Sequence, residues 1–196
     1  MDKPWSQACD NNKTPILELL QQEYVDCSAV LEIGSGTAQH GVFFAQHMPW
    51  LSWQTSDLPQ HHDGIRCWLA DGPANALPPL TLNVSEDDWP LAGQFDGMFS
   101  ANTLHIMGWQ SVQDFFVGSG QCLSPSGVLC VYGPFNYHGR FTSESNARFD
   151  RWLSDRDPCS GIRDFEAVNE LAVAAGFSMR GDHAMPANNR LLCWQR

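Results

Sequence analysis

Val30-Leu31-Glu32-Ile33-Gly34-Ser35-Gly36-Thr37-Ala38-Gln39-His40 is the stretch on which the fold turns. Four mostly apolar residues of strand character run into two glycines, a short polar turn and the start of a helical pattern at Gln39. Asp57 stands at the end of the next strand-like segment. A strand, a glycine turn and a helix, with an acid at the following strand end, hold an adenosine-type ligand at the carboxyl edge of a parallel sheet. A dinucleotide fingerprint would need a third glycine three residues after Gly36, so that helix and strand pack closely beside a pyrophosphate. That position is Gln39, and Glu32 adds a negative charge that a pyrophosphate would meet unfavourably. A cationic ligand is favoured instead, the alternative being a purely structural glycine turn.

Working outward from this stretch, strands are predicted at 29–33, 52–56, 80–84, 95–101, 128–132, 177–180 and 191–195. Helices are predicted from Thr14-Pro15 onward, where a capping hydroxyl precedes a proline, and at 39–47, 61–70, 111–123 and 164–175. Ser124-Pro125-Ser126-Gly127 reads as the stop of the fourth of these helices. Apolar strands alternating with helices specify an α/β fold, a Rossmann-like doubly wound, mostly parallel seven-stranded sheet whose last strand is antiparallel. Residues 1–196 read as a single domain, and the connection at about 135–163 is too long for a simple link. It is expected to cover the substrate.

Composition narrows the function classes. The net charge is -11, and Lys3, Lys13 and Arg66 are the basic residues before Arg140. A field of this sign repels phosphate backbones, so no nucleic acid partner is expected. No apolar run approaches the ~18 residues of a membrane span, so no membrane partner is expected. Met1-Asp2-Lys3-Pro4-Trp5-Ser6-Gln7 lacks the apolar core of a signal peptide. The seven cysteines are odd in number and form no Cys-x-x-Cys pair. Reduced thiols in a cytoplasmic protein, which could act alone or as a homodimer, are the expectation. His61-His62-Asp63 is not read as a metal site, because adjacent histidines point apart, and no metal is expected.

S-adenosylmethionine (SAM) meets the requirements of the opening motif: a sulfonium, an ammonium, two ribose hydroxyls and no phosphate. The motif resembles motif I of the class I SAM-dependent methyltransferases. Strand ends in such sheets gather around one cleft. The expected cofactor-binding set is Glu32, Gly34, Ser35, Gly36, His40, Asp57, Leu58, Asn83, Val84, Ala101 and Asn102. Asp57 can accept from the ribose hydroxyls, and Asn83 can meet the adenine amino group or serve as a turn residue. His40 is expected to support the glycine loop. A sulfonium is already an activated electrophile, so the protein need only align the nucleophile and, for some acceptors, remove a proton. His105 and His138, just beyond strand ends, are the candidate catalytic bases. Asn102-Thr103-Leu104-His105 is not the Asn-Pro-Pro-aromatic loop of enzymes that methylate nucleobase amino groups.

Several stretches resemble the methyltransferase-like 26 family. They are Ser6 to Leu17, Val30 to His40, Phe95 to Ile106, Tyr132 to Phe135, Gly139 to Asn146, Phe149-Asp150, Arg156 to Pro158, Gly161 to Phe165 and Met185 to Asn189. Asn83 stands where the family pattern has aspartate, and Ala38 where glycine is usual. The resemblance implies the class I methyltransferase fold and a SAM cofactor, but no acceptor. The polar residues outside the SAM motif, Asn11, Asn12, Arg140, Thr142, Asn146, Arg163, Asn188 and Asn189, are the substrate-binding candidates. The arginines from Arg140 to Arg163 are expected to wall the cleft and hold an anionic acceptor, or else to pair with Asp150, Asp157 and Asp164. The function expected is methyl transfer from SAM to a small-molecule substrate. The alternatives are a non-catalytic SAM-binding regulatory module, a protein methyltransferase or another nucleotide chemistry.

Overall fold

The computed structural model of the protein describes residues 3–86, 89, 91 and 95–196. In chain order its elements are α1 (Gln7–Glu23), β1 (Ala29–Ile33), α2 (Gln39–His47), β2 (Ser52–Asp57), α3 (His62–Leu69), β3 (Ala76–Thr81), β4 (Phe95–Ala101) and α4 (Trp109–Cys122). There follow β5 (Leu123–Gly133), β6 (Phe135–Asn136), α5 (Glu144–Arg156), β7 (Arg163–Asp164), α6 (Phe165–Ala174), β8 (Ser178–Met185) and β9 (Asn189–Gln195). Seven strands form one sheet in the order β3-β2-β1-β4-β5-β9-β8. β1 pairs in parallel with both β2 and β4, while β9 runs antiparallel to β5 and β8. The chain leaves β1 toward one side and returns through β4 on the other. The carboxyl ends of β1 and β4 are therefore the switch point at which such sheets open a ligand crevice.

Alternate residues of the strands feed two cores. Leu31, Met98, Leu129, Val131, Leu192 and Trp194 pack with Phe115 and Phe116 of α4 and Val168 of α6. Val30, Trp53, Phe99, Cys130 and Cys193 pack with Ile16, Leu20 and Tyr24 of α1 and Phe44 of α2. Burial on both faces is what the near-continuous apolar strands required.

Three elements depart from their sequence pattern. α1 starts at Gln7 and carries Pro15 inside it, not at its first turn. Its buried stripe, Ile16, Leu17 and Leu20, and its N-terminal anchor outweigh the hydrogen bond lost at the proline. That anchor is Gln39 of α2, which accepts from the Ser6 N–H at 2.5 Å and donates to the Ser6 carbonyl at 3.4 Å. The third strand is Ala76–Thr81, not 80–84. Pro78 and Pro79 fit there because β3 lies at the sheet edge, where a missing donor is tolerated, and its register with β2 shifts across them. Leu82, Asn83 and Val84 are thereby released beyond the strand end. Ser124-Pro125-Ser126-Gly127 is not a helix stop but the irregular start of β5, with Ser126 at φ 68° and paired through its N–H to the Arg196 carbonyl. Among the described residues no helix is long and apolar enough to cross a membrane.

Candidate functional site

A cavity of about 460 Å³ opens at the β1/β4 switch point. Gly34, Gly36, Asp57, Leu58, Asn83, Val84, Ala101 and Asn102, all expected from the sequence, line it. Ile33, His61, Leu82, Thr103, Ile106, Met107 and Ser111 line it as well. Its volume falls within the usual range of a small-ligand cleft.

The glycine loop is pinned from below by hydroxyls. The Ser35 N–H donates to the Ser56 carbonyl at 3.0 Å, and Ser35 Oγ accepts from the Ser56 N–H at 3.1 Å. Ser56 Oγ donates to the Glu32 carbonyl at 2.6 Å, and Ser100 Oγ to the Ile33 carbonyl at 2.8 Å. From above, Asp57 Oδ2 accepts the Gly36 N–H and Oδ1 the Leu58 N–H, each at 2.7 Å. One carboxylate thus couples the loop to the β2 end and still has lone pairs to offer. Gly34 adopts φ 71° and Gly36 φ 57°, the left-handed region that glycine enters without penalty. A Cβ on Gly34 would stand 2.6 Å from Thr103 Cγ2, so the β1 and β4 loops touch through that glycine. Asn102 holds φ 59°, with its N–H on the Tyr132 carbonyl at 2.8 Å. Beyond Asp57 the walls turn apolar, with Leu58, Leu82, Val84, Ile106 and Met107 forming an apolar slot. Asn83 borders this slot, but its Oδ1 accepts the Ser85 N–H at 3.2 Å, so its oxygen serves a turn.

Glu32, Ser35 and His40 lie behind the loop and do not line the cavity. Glu32 is 2% exposed, with Trp53 Nε1 donating to Oε2 at 3.1 Å and Gly41 leaving just enough room for the carboxyl. Burial pushes its carboxyl up to about 7, against the pull of the Trp53 and Ser35 hydrogen bonds. His40 Nε2 lies 2.6 Å from Asn12 Oδ1, and its ring stacks on Phe44. Burial, helped by Lys13, holds it down to about 4. The neutral His40 ring thus joins α2 to Asn12 of α1.

The candidate bases do not reach the cleft. His105 is buried against the Phe149 ring, and burial together with Arg163 lowers it to about 4. His138 is a surface residue at φ 53° whose Nδ1 lies 3.1 Å from Glu166 Oε1 and whose N–H donates to the same carboxylate. The arginine wall is corrected too. Arg163 donates to the carbonyls of Leu104 (3.1 Å), Met107 and Cys159 (2.8 Å) and lies over the Trp109 ring. It therefore shapes the turn that carries Ile106 and Met107 and does not face a ligand. Arg140 is exposed and lines none of the described cavities.

The remaining substrate candidates divide. Asn11 is exposed and accepts from Gln7 Nε2 at 2.9 Å, whereas Asn12 is buried on His40. Thr142, Asn188 and Asn189 line a second cavity of about 440 Å³ with Tyr137, Met185 and Arg190. Asn146, buried beneath them, donates to Thr142 Oγ1 at 2.9 Å and to the Asn188 carbonyl at 3.2 Å. Arg190 pairs with Gly133 at the carboxyl end of β5, so this second cavity is built on the same sheet edge as the first. His61, Thr103, Met107 and Ser111 were missed from the sequence. Their one signal was position just after a strand or at the start of a helix.

A family profile described as "Protein of unknown function (DUF938)" matches residues 3–196. The chain belongs to the DUF938 family. Among solved structures, this DUF938 chain resembles a putative O-methyltransferase from Nostoc punctiforme with a TM-score of 0.82 at 18% identity, over 96% of this chain and 56% of that one. PigF, solved with SAH, matches with a TM-score of 0.81 at 16% identity, over 95% and 56%. The S-adenosylmethionine-dependent methyltransferase SibL in its apo form matches with a TM-score of 0.78 at 21% identity, over 93% and 54%. At these identities the likeness is one of fold, the Rossmann-like methyltransferase fold. The chain spans about half the length of these structures.

Proposed function

We propose that the protein is a SAM-dependent methyltransferase acting on a small-molecule acceptor. The observation that carries this reading is Asp57: its carboxylate grips the glycine loop and faces a cleft that is apolar on one side and main-chain polar on the other. In this reading the ribose sits on Asp57, the adenine enters the slot between Leu58, Leu82 and Met107, and the methionine end lies along Gly34, Ala101 and Asn102. SAM would bring the activated methyl group, and the protein would align the acceptor and keep water out. Among the solved structures of like fold, SibL is named as S-adenosylmethionine-dependent and PigF was solved with SAH, which supports SAM over other adenosine ligands. The narrower kinship with the methyltransferase-like 26 family rests on the sequence segments given above.

Among the described residues, Asp57 and His61 are the ionisable side chains that line the cleft. Asp57 is committed to the ribose in this reading, which leaves His61, among the described residues, as the ionisable side chain of the cleft open to an acceptor. His105 and His138, the expected bases, both stand outside the cavity lining, which favours a second reading, a SAM-binding regulatory module. Seven free cysteines fit the reducing cytoplasm.

Incubation of the intact protein and SAM with a metabolite extract, followed by mass spectrometry, separates the two readings. Products heavier by one methylene, absent when the Gly34→Val variant replaces the wild type, support the enzyme. SAM binding without any such product supports the module.

A further inference from the structure

A second set of ligand-type side chains converges on the α1 face of the sheet, away from the cleft. Glu23 ends α1, Cys130 lies in β5, Cys193 in β9 and His183 in β8. Cys130 and Cys193 are paired across the two strands, and their Sγ atoms are 3.4 Å apart. One ligand atom each of Glu23, His183 and Cys193 lies within 4.8 Å of the others, with His183 Nε2 4.0 Å from Glu23 Oε1. One of these polar atoms, His183 Nε2, is buried without a hydrogen-bond partner. Arg180 Nε stands 2.8 Å from Glu23 Oε2 as an ion pair, leaving Oε1 to face the imidazole. Gly181 gives the imidazole its place: a Cβ there would stand 2.4 Å from His183 Nε2.

We propose that Glu23, Cys130, His183 and Cys193 bind a zinc ion. Thiolate, imidazole and carboxylate donors are the set zinc prefers, and two sulfurs disfavour calcium or magnesium. Ligands ~2.0–2.3 Å from a tetrahedral ion lie roughly 3.3–3.8 Å from one another, so the Glu23, His183 and Cys193 atoms, within 4.8 Å, need to close in, and Cys130 joins them from beside Cys193. Binding displaces the thiol protons to solvent and changes no oxidation state. A cavity of about 290 Å³ lined by Glu23, Asp26, Cys27, Asp96 and Arg180 adjoins the cluster at Glu23. Its carboxylates outnumber its one guanidinium and draw cations. The ion would tie the end of α1 to β5 and to the β8–β9 hairpin. The site owes nothing to the SAM cleft, and its test does not depend on methyl transfer.

The intact protein, freed of metal and kept reduced, is titrated with zinc against a chromophoric chelator and with cobalt(II) in a spectrophotometer. Saturable zinc binding, a thiolate-to-cobalt charge-transfer band and the absorption of a tetrahedral cobalt centre are expected. His183→Gln and Cys193→Ser should each weaken zinc by at least ~10-fold. Cys122→Ser, on the opposite face of the sheet, should bind as the wild type does. Should Cys193→Ser fail to fold, His183→Gln carries the test, because that side chain is 35% exposed and outside the core. Absence of saturable binding, which would leave the Glu23–His183 gap to water, overturns the site. So does a cobalt spectrum that survives in His183→Gln.

Discussion

At the β1–β2–β4 end of the carboxyl edge, the groups that face the cleft are set by main-chain geometry. At the β5–β9 end they are side-chain amides and hydroxyls. Gly34 and Gly36 hold left-handed conformations, and the carboxylate of Asp57 fastens the loop by two backbone N–H groups. Around the second cavity, the Asn146 amide ties Thr142 to the Asn188 carbonyl and the Asn189 amide donates to the Pro186 carbonyl, over a turn in which Ala187 and Asn188 both have positive φ. The first arrangement can tolerate little change, since altering one residue moves the loop itself. The second can exchange side chains while the backbone stays in place. In the proposed reading, a fixed cofactor and a variable acceptor would call for these two kinds of surface.

The change expected to do most is Gly34→Val. It meets Thr103 Cγ2 and cannot hold φ 71° without strain of about 2 kcal/mol or more. S-adenosylhomocysteine (SAH) affinity measured by calorimetry should fall by at least ~30-fold. Retained affinity would show that the loop does not carry the ligand.

Glu32 and the two buried histidines make the loop support sensitive to pH. Glu32 titrates at about 7 in the folded chain against 4.5 when unfolded, so its contribution is full below about 4.5 and is lost as the pH rises through 7. His40 and His105 titrate at about 4 against 6.5, so theirs is present above about 6.5 and lost as the pH falls through 4. Each amounts to about 3 kcal/mol at most. Two groups outweigh one, and stability should drop on acidification from pH 6.5 to 4. Glu32→Gln should be more stable than the wild type at pH 8 by about 1–3 kcal/mol and should lose stability more steeply toward pH 4.5. Urea melts at several pH values check both signs, and identical profiles would deny the buried carboxyl.

Arg163→Gln releases three carbonyls of the turns that include Leu104, Met107 and Cys159, and should lower stability by about 1–3 kcal/mol. Through Met107 it should also weaken SAH. Arg140→Ala, at an exposed position, should change stability by less than about 0.5 kcal/mol and leave SAH affinity alone. Equal effects at the two arginines would erase the distinction drawn between them.

The strand–glycine–helix unit was legible because its periodicity, glycines and acid are local. The start of α1 was not, because Ser6 is held by Gln39, a partner far along the chain. Nor was β3, whose position is fixed by register with β2 across Pro78 and Pro79. The charge of Arg163 could be read, but its partners are carbonyls, which no sequence pattern marks. Asn12 and His40 stood out separately as polar residues, while their contact exists only in the folded chain. Met107 and Ser111 enter the site because the turn after β4 folds back over the strand ends.

The most direct test of the central claim is calorimetric titration of the wild type and Asp57→Ala with SAM, SAH and NAD. SAM and SAH should bind the wild type at a single site, NAD should not, and Asp57→Ala should weaken both ligands by about 1–3 kcal/mol. Its stability should also fall, by about 1–2 kcal/mol, because two backbone N–H groups lose their acceptor. Tighter binding of NAD than of SAH, or unchanged SAH affinity in Asp57→Ala, would contradict the account.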